Sequence, residues 1–466
     1  MSTASVPANP PPRPGFGRTK GAKLLIVCAL AVLMSIPASF VFLLLHDRTT
    51  RAAEVSQEIG GLVGGEQTFL GPVISVPYMV PTKSDANGKS LPAETGNLIV
   101  FPITGQATAT SKSEVRSRSL FRVPVYTTDL HFIGHFDLSQ VTAPRSGAVL
   151  QWDRAQLLSG ASDSRGARRD ITANINGKAV TLAPSALGQK AMENGNLDLF
   201  STPLSDAQLT APFDISLAMS FTGAEKLGVL AFAKSTEVTL SGDWDTPSFG
   251  GGFLPATRAF RHDRNTPLVK GEENLKSGFK ATWSVPFIAR GLPAVIDYDQ
   301  LSALGKSELS VKFVEPGNPY QAVGRSLKYA LLFVGLVFLT YFVFESSTRR
   351  ELHPAQYVLV GLAQLTFYLL LLSLAERIGF DGAFATAATA TVLLISAYAG
   401  MVFKSLKRFL AALGIFTVLY GLIYVLMRME DYALLIGAVS AFGIIATVMM
   451  LTRNINWYGG KESDPA

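Results

Sequence analysis

Apolar positions are unevenly distributed along this chain. Hydrophobic runs of about 18–22 residues cover 24–45, 327–344, 357–374, 383–403, 409–427 and 432–451, and as a helix each spans roughly 27–33 Å, the thickness of a bilayer's hydrocarbon core. Between the first and second runs lies a long stretch of ordinary polar and apolar mixture. The pattern predicts one membrane span, a large soluble insertion and then five closely spaced spans.

After the first run, Ala52, Val55, Ile59 and Leu62 keep a helical spacing until Gly60, Gly61, Gly64 and Gly65 break it, which predicts a stalk helix continuing the first span. From Thr68 the rhythm changes to short strands punctuated by Gly and Pro. TFLGPVISVPYMV, NLIVFPI, AVTLAP, DISLAMSF, TEVTLSGDW and FKATWSVPF are examples, and in LFRVPVYTTDLHFIGHFDL the residues Tyr126, Leu130, Phe132 and Phe136 share one face. Few long helical patterns interrupt them, so an all-β sandwich or two packed β lobes is expected. Asn318 and Pro319 fit the cap and first turn of a helix entering the second span.

Charge sets the orientation. Residues 46–326 hold 27 Lys and Arg against 27 Asp and Glu, so the whole formal excess of +6 sits around the spans. A neutral soluble part offers no basic field for phosphate backbones, which argues against nucleic acid. Arg13, Arg18, Lys20 and Lys23 precede the first span, and Arg349, Arg350, Lys404, Lys407, Arg408, Arg453 and Lys461 fall on the same side when six spans alternate. The positive-inside rule then puts both termini in the cytoplasm and the large domain outside. The first run exceeds a signal-peptide core and is read as an anchor, and the Pro-rich segment before it as a disordered leader. Cys28, the only cysteine, excludes an intrachain disulfide and reads as a small apolar packing residue within the first span.

Candidate chemistry is sparse. His131 and His135 lie four residues apart in a strand pattern, roughly 13 Å along it, too far to share an ion easily. No G-x-S-x-G or H-E-x-x-H occurs, and Asp153, Asp163 and Asp170 remain only as generic candidate acids. SFGGGF, residues 248–253, lacks the Lys and Ser/Thr of a phosphate loop and reads as a turn. The span interiors hold no Asp, Glu, Lys, Arg or His, whereas ion and proton pathways normally place such groups at depth. Gln364, Thr366, Tyr368, Ser373 and Thr391 are expected to bond between helices. In ESSTRRELHPAQY, Glu345 ends one span and Pro354 starts the next helix, with Gln356 and Tyr357 in its first turn. Arg349 and Arg350 are read as facing headgroups, Tyr357 as an aromatic anchor, and the loop as a possible partner contact.

Three segments carry a family likeness: EIGGLVGGEQTFLGPVISVPY (58–78), VEPGNPYQAVGRSLKYALLF (314–333) and FESSTRRELHPAQYVLVGLAQLTFYLLLLSLAERIGF (344–380). With these, and with the order of one span, insertion and five spans, the chain resembles the CreD family of bacterial inner-membrane proteins. Arg377 departs from the pattern, where members more often carry histidine after the glutamate, and this speaks against a titrating role there. The resemblance implies a part in cell-envelope integrity, envelope stress and tolerance of envelope-active agents such as colicins. It brings no catalytic residue and no cofactor.

The expected fold is therefore a multi-pass α-helical membrane protein of six spans, one plus five, with a large, mainly β, sandwich-like periplasmic domain. Its parts are a leader (1–23), an anchor helix (24–45), a stalk helix (46–65), the β-rich domain (66–318), a five-span bundle (319–452) and a tail (453–466). The expected function is a non-enzymatic role in the envelope through the periplasmic domain, with a transporter or channel and a periplasmic hydrolase as the alternatives. The expected partners are the lipid bilayer and an envelope component or membrane protein, with no nucleic acid, nucleotide, metal or cofactor. Glu345, Arg349, Arg350, His353, Pro354, Gln356, Tyr357 and Glu376 are the candidate interface or signature residues.

Overall fold

The computed structural model describes residues 20–81, 94–118, 120–139, 141–142, 147–192, 195–205, 212–260, 272–314, 319–348, 351–428 and 433–453. The leader before Lys20, Asn318, and nearly all of the tail lie outside them. The chain divides into a helical unit, Met1–Arg51 with Gly317–Ala466, and a second unit, Ala52–Pro316.

The second unit is a β sandwich. Among the described residues its strands form two sheets. The first follows the order Pro247–Gly251, Glu308–Phe313, Lys226–Leu230, Gln67–Val80, Gln156–Ala161, Gly195–Pro203 and Ala183–Met192, and Glu94–Val100 pairs with the far half of Gln67–Val80. The second runs Glu272–Asn274, Thr257–Phe260, Phe279–Val285, Ser235–Gly242, Thr104–Arg118, Phe121–Phe136, Phe213–Ala224, Thr172–Ile175 and Lys178–Thr181. Most pairings are antiparallel. Gln67 opposite Leu227, and Thr104 opposite Ser235, begin parallel ones. One apolar core lies between the sheets, and it includes the expected inward face of Tyr126, Leu130, Phe132 and Phe136. Aromatic rings lock across it: Phe69 meets Phe221 edge-on at 5.1 Å between centroids, and Phe132 meets Phe232 at 5.5 Å. SFGGGF is not a turn. Residues Pro247–Gly251 form the edge strand of the first sheet, pairing with Glu308–Phe313, because the glycines let the edge backbone lie close against its neighbour.

The stalk residues pack on one end of this sandwich. Val55, Ile59 and Val63 are buried with Val123, Val125 and Ala224, and the side chains of Ser56 and Glu225, and of Arg118 and Glu58, pair beside them. The helix Ser35–Leu62 keeps Gly60 and Gly61 helical, so the break falls later than the first glycine pair. It comes at Gly64 and Gly65, both at positive φ, where glycine is favoured. Leu62 points outward and Val63 takes the buried position expected for it.

In the helical unit each apolar run lies on a helix. The first is divided at Met34 between Lys20–Leu33 and Ser35–Leu62, and Cys28 on it is exposed rather than packed; a thiol is apolar enough to face lipid. The helix begun by Pro319 does not run straight into the second span. It ends at Lys328, and Ala330–Ser346 sets off at 54° to it. The third and fourth runs were expected to be separated by a short loop but form one helical element, Pro354–Phe403, broken at Gly379 (φ 76°, ψ 167°), a conformation open almost only to glycine. Phe367 and Phe384 lie 5.6 Å apart between ring centroids, whereas residues 17 apart in a straight helix are separated by about 25 Å. The chain therefore doubles back at Gly379 into a helical hairpin. Leu406–Arg428 and Ala433–Thr452 follow. Among the described residues, by length and composition, three helices qualify to cross a membrane, Gly21–Leu62, Pro354–Phe403 and Leu406–Arg428, or four with the bent pair taken as one span.

The mild polar groups behave less uniformly than expected. Gln364 Nε2 donates across to the Phe333 carbonyl at 3.4 Å, but Thr366 bonds to Leu362 on its own helix and Ser373 faces outward.

Candidate functional site

The helical loop after Ala330–Ser346 is organised by a buried carboxylate. Glu345, 6 % exposed, sits at the last turn of that helix. Its Oε1 accepts the backbone N–H of Leu352 at 2.8 Å, its Oε2 accepts the Tyr357 hydroxyl at 2.8 Å, and Lys23 pairs with Oε1. The end of one helix, the start of the next and the first helix, 322 residues earlier, are thereby pinned at one group. Charge-assisted bonds of this kind are roughly twice as strong as neutral ones. Tyr357 is not an interfacial anchor. It is buried, with Phe338 and Tyr341 edge-on at 5.6 and 6.4 Å, because its hydroxyl is needed inside by Glu345.

His353, Pro354 and Gln356 start the next helix. Pro354 is the first residue of Pro354–Phe403, where a missing N–H costs nothing. His353 caps it reciprocally: the Ala355 N–H donates to His353 Nδ1 at 3.2 Å, and the His353 N–H donates to Gln356 Oε1 at 2.9 Å. Glu351, His353 and Pro354 remain exposed. Arg349 and Arg350 lie outside the described residues.

Glu376 belongs to a separate cluster. Its side chain is 7 % exposed, it accepts the Tyr320 hydroxyl at 2.9 Å, and Arg48 Nη1 is 3.9 Å away. Nearby in sequence, Asp381 pairs with Arg428 at 2.6 Å and accepts from the Tyr424 hydroxyl at 3.1 Å. The sequence placed Glu376 but gave no sign of its partners, since Arg48 and Tyr320 lie on other helices.

In the sandwich, the buried ammonium of Lys226 lies 3.1 Å from Glu308 Oε1 and 3.2 Å from Glu66 Oε2. Burial works against the Lys226 charge, but the two carboxylates more than offset it and hold its pKa above the ordinary lysine value. Thr68 donates to Glu308 at 2.9 Å, and the Tyr126 hydroxyl donates to the Lys226 carbonyl at 2.5 Å. Beside them the fully buried Gln67 donates to the carbonyls of Gly64 and Asp163, both at 2.9 Å, and accepts the Asp163 N–H at 3.3 Å. A second class of residue thus emerges that hydropathy could not single out: polar groups of strand ends and turns, engaged with each other.

The family model described as "Inner membrane protein CreD" matches residues 19–458. The chain belongs to the CreD family. A similar curated protein is the inner membrane protein CreD of Escherichia coli (strain K12), 27 % identical over 442 residues, which cover 94 % of this chain and 93 % of that one. In this CreD-family chain the three segments of likeness coincide with the clusters above. The first supplies Gly64, Glu66, Gln67 and Thr68, the second Tyr320, and the third Glu345, His353, Pro354, Gln356, Tyr357 and Glu376.

The residues considered for catalysis or metal binding are placed otherwise. His131 and His135 are held four residues apart on the extended strand Phe121–Phe136, and His135 Nδ1 lies 2.7 Å from Asp214 Oδ1. Asp163 accepts from Arg165 through both carboxylate oxygens, and these bonds hold its pKa below the ordinary carboxylate value. It also caps the short turn Ser164–Gly166. Asp153 and Asp170 are exposed.

Proposed function

We propose that the protein is a non-enzymatic inner-membrane component of the cell envelope, in which the sandwich faces the periplasm and engages an envelope component or a membrane-protein partner. The observation that carries this reading is that the signature groups are engaged within the helical unit itself. Glu345, His353, Gln356, Tyr357 and Glu376 close helix ends and join helices, which is the work of a scaffold. In this reading Pro354–Phe403 crosses the membrane twice by folding at Gly379, and with the bent pair and Ala433–Thr452 the chain crosses six times. Both termini then lie in the cytoplasm, in keeping with the basic residues near the spans. Membership of the family supports roles in envelope integrity and stress, including colicin tolerance.

Replacing residues 66–316 by a flexible linker tests the reading. The shortened chain is expected to insert normally, as membrane fractionation and protease protection would report, and to lose all resistance to envelope-active agents. Full resistance from the inserted helical unit alone would end the proposal.

Transport of an envelope component is the second reading, and one observation favours it. Within the helical unit Gln364 Oε1 and Ser396 Oγ are buried without a hydrogen-bond partner among the described residues, and unmatched polar atoms of this kind invite water or a polar solute. Solute flux through reconstituted protein, abolished in Gln364→Ala, would favour this reading over the scaffold.

A further inference from the structure

Arg290 closes the four-residue helical knuckle Phe287–Arg290, and its side chain turns inward, leaving the residue 5 % exposed. One guanidinium nitrogen, Nη2, donates to the carbonyls of Leu292 and Pro293 at 3.1 and 2.6 Å. The other two nitrogens, Nε and Nη1, are buried and have no hydrogen-bond partner among the described residues. The face of the guanidinium is covered by aromatics, with its carbon 4.2 Å from the Phe101 ring centroid and 5.9 Å from that of Phe287. Such stacking stabilises the charge but leaves the in-plane N–H groups unmatched. Burial, with no carboxylate paired to it among the described residues, pushes the pKa down to about 10.

A second cation lies against the same Phe287 ring. Lys234 Nζ lies 5.3 Å from the Phe287 ring centroid, and that ring is itself 44 % exposed. The walls are tied together by the backbone: Phe101 N–H donates to the Ala294 carbonyl at 3.1 Å, and Lys234 N–H to the Pro102 carbonyl at 2.9 Å. Pro102 packs by Gly134 near the end of Phe121–Phe136. The stalk packs on Val123 and Val125 at the other end of that strand, about 30 Å away at the rise of an extended chain. Beside Phe287, Ile288 is 91 % exposed.

Clamping the turn after Gly291 explains one nitrogen of Arg290. It does not explain a buried, unneutralised charge with two idle donors, which is costly to maintain. Nε and Nη1 lie on different edges of the guanidinium, on either side of the engaged Nη2, and each offers a charge-assisted bond to an oxygen of a phosphate or carboxylate. We propose that Arg290 and Lys234, walled by Phe101 and Phe287, form an anion site at the end of the sandwich remote from the stalk, and that it takes a phosphate or carboxylate carried on an apolar body. The half-exposed Phe287 ring swings aside to open the Arg290 edge and, with Ile288, lines the apolar part of the ligand. The site rests on the reading of the sandwich as the binding part of the protein, but its test is a binding measurement that does not depend on any envelope phenotype.

The test uses the full chain in nanodiscs of zwitterionic lipid, titrated calorimetrically with hexyl phosphate against empty nanodiscs. Saturable one-to-one binding is expected, weakened at least about tenfold by Arg290→Gln and several-fold by Lys234→Gln, as for loss of a buried and a flanking charge contact. Arg290→Lys, which keeps the charge but loses the planar set of donors, should also weaken binding and serves if the glutamine variant does not fold. Inorganic phosphate should bind much more weakly, and equal affinity would contradict the apolar part of the site. Flotation of the nanodisc-held chain with phosphatidic acid vesicles, competed by hexyl phosphate, would identify a lipid headgroup as the source. Binding of hexyl phosphate without flotation would identify a soluble ligand, and both outcomes uphold the site. No saturable binding by the folded wild type, or unchanged affinity in all three variants, would overturn it.

Discussion

Replacing Glu345 with alanine is expected to destabilise the folded helical unit by about 3–5 kcal/mol, the usual cost of breaking a buried charge pair from one side. The substitution leaves the Leu352 N–H, the Tyr357 hydroxyl and the Lys23 ammonium without their acceptor. Each must then find water or remain unpaired. Glu345→Gln keeps the shape and an acceptor oxygen but gives up the charge, so it should cost less, about 1–3 kcal/mol. Lys23→Met should fall below the alanine variant too, since Lys23 is partly exposed. Denaturant unfolding in micelles, followed by helical circular dichroism, would rank the three. An alanine variant as stable as the wild type would show that the carboxylate does not pin the loop.

The second large effect is expected at Phe232 in the sandwich. Its ring lies where the chain passes from Lys226–Leu230 in one sheet to Ser235–Gly242 in the other. It is fully buried, and it fills the space that side chains at Gly71 and Gly105 would need: a Cβ there would stand 2.6 and 2.7 Å from ring atoms. Gly71 belongs to the first sheet and Gly105 to the second, so the ring is a wedge held by both. Phe232→Ala opens a cavity between the sheets and is expected to cost about 3–5 kcal/mol. Gly71→Val and Gly105→Val press on the ring instead and should cost about 1–3 kcal/mol or more. Trp152, Trp244 and Trp283 lie in this unit, so tryptophan fluorescence during urea unfolding reads its stability directly. A wild-type midpoint in Phe232→Ala would contradict the wedge.

Much of this architecture was legible in the sequence, because the two hydrophobic periods differ so sharply. Apolar runs of bilayer length mark helices, and alternation such as Leu130, Phe132 and Phe136 marks the inner face of a strand. What remained hidden depends on contacts between distant residues. Glu345 closes an apolar run, and a terminal charge reads as interfacial. Its burial follows from Lys23, 322 residues earlier, and from Tyr357, whose aromatic ring suggested an anchor. Between the apolar runs 357–374 and 383–403 the sequence suggests a loop, yet helix resumes at once after a single glycine conformation at Gly379. The glycines of SFGGGF resembled a turn because sequence does not show that a strand 60 residues later needs an edge partner. Arg290 carried no signal at all, because the burial of its charge is visible only when the rings of Phe101 and Phe287 are in place.

The central claim is that the sandwich does the work and the helices hold it. The most direct measurement places residues 52–316 between two membrane helices of unrelated sequence, in cells lacking the protein, and scores survival against envelope-active agents. The account predicts that this chimera, once inserted with the sandwich in the periplasm, restores most of the resistance given by the full chain. A correctly inserted and folded chimera that restores none would contradict it, and would move the function into the helical unit.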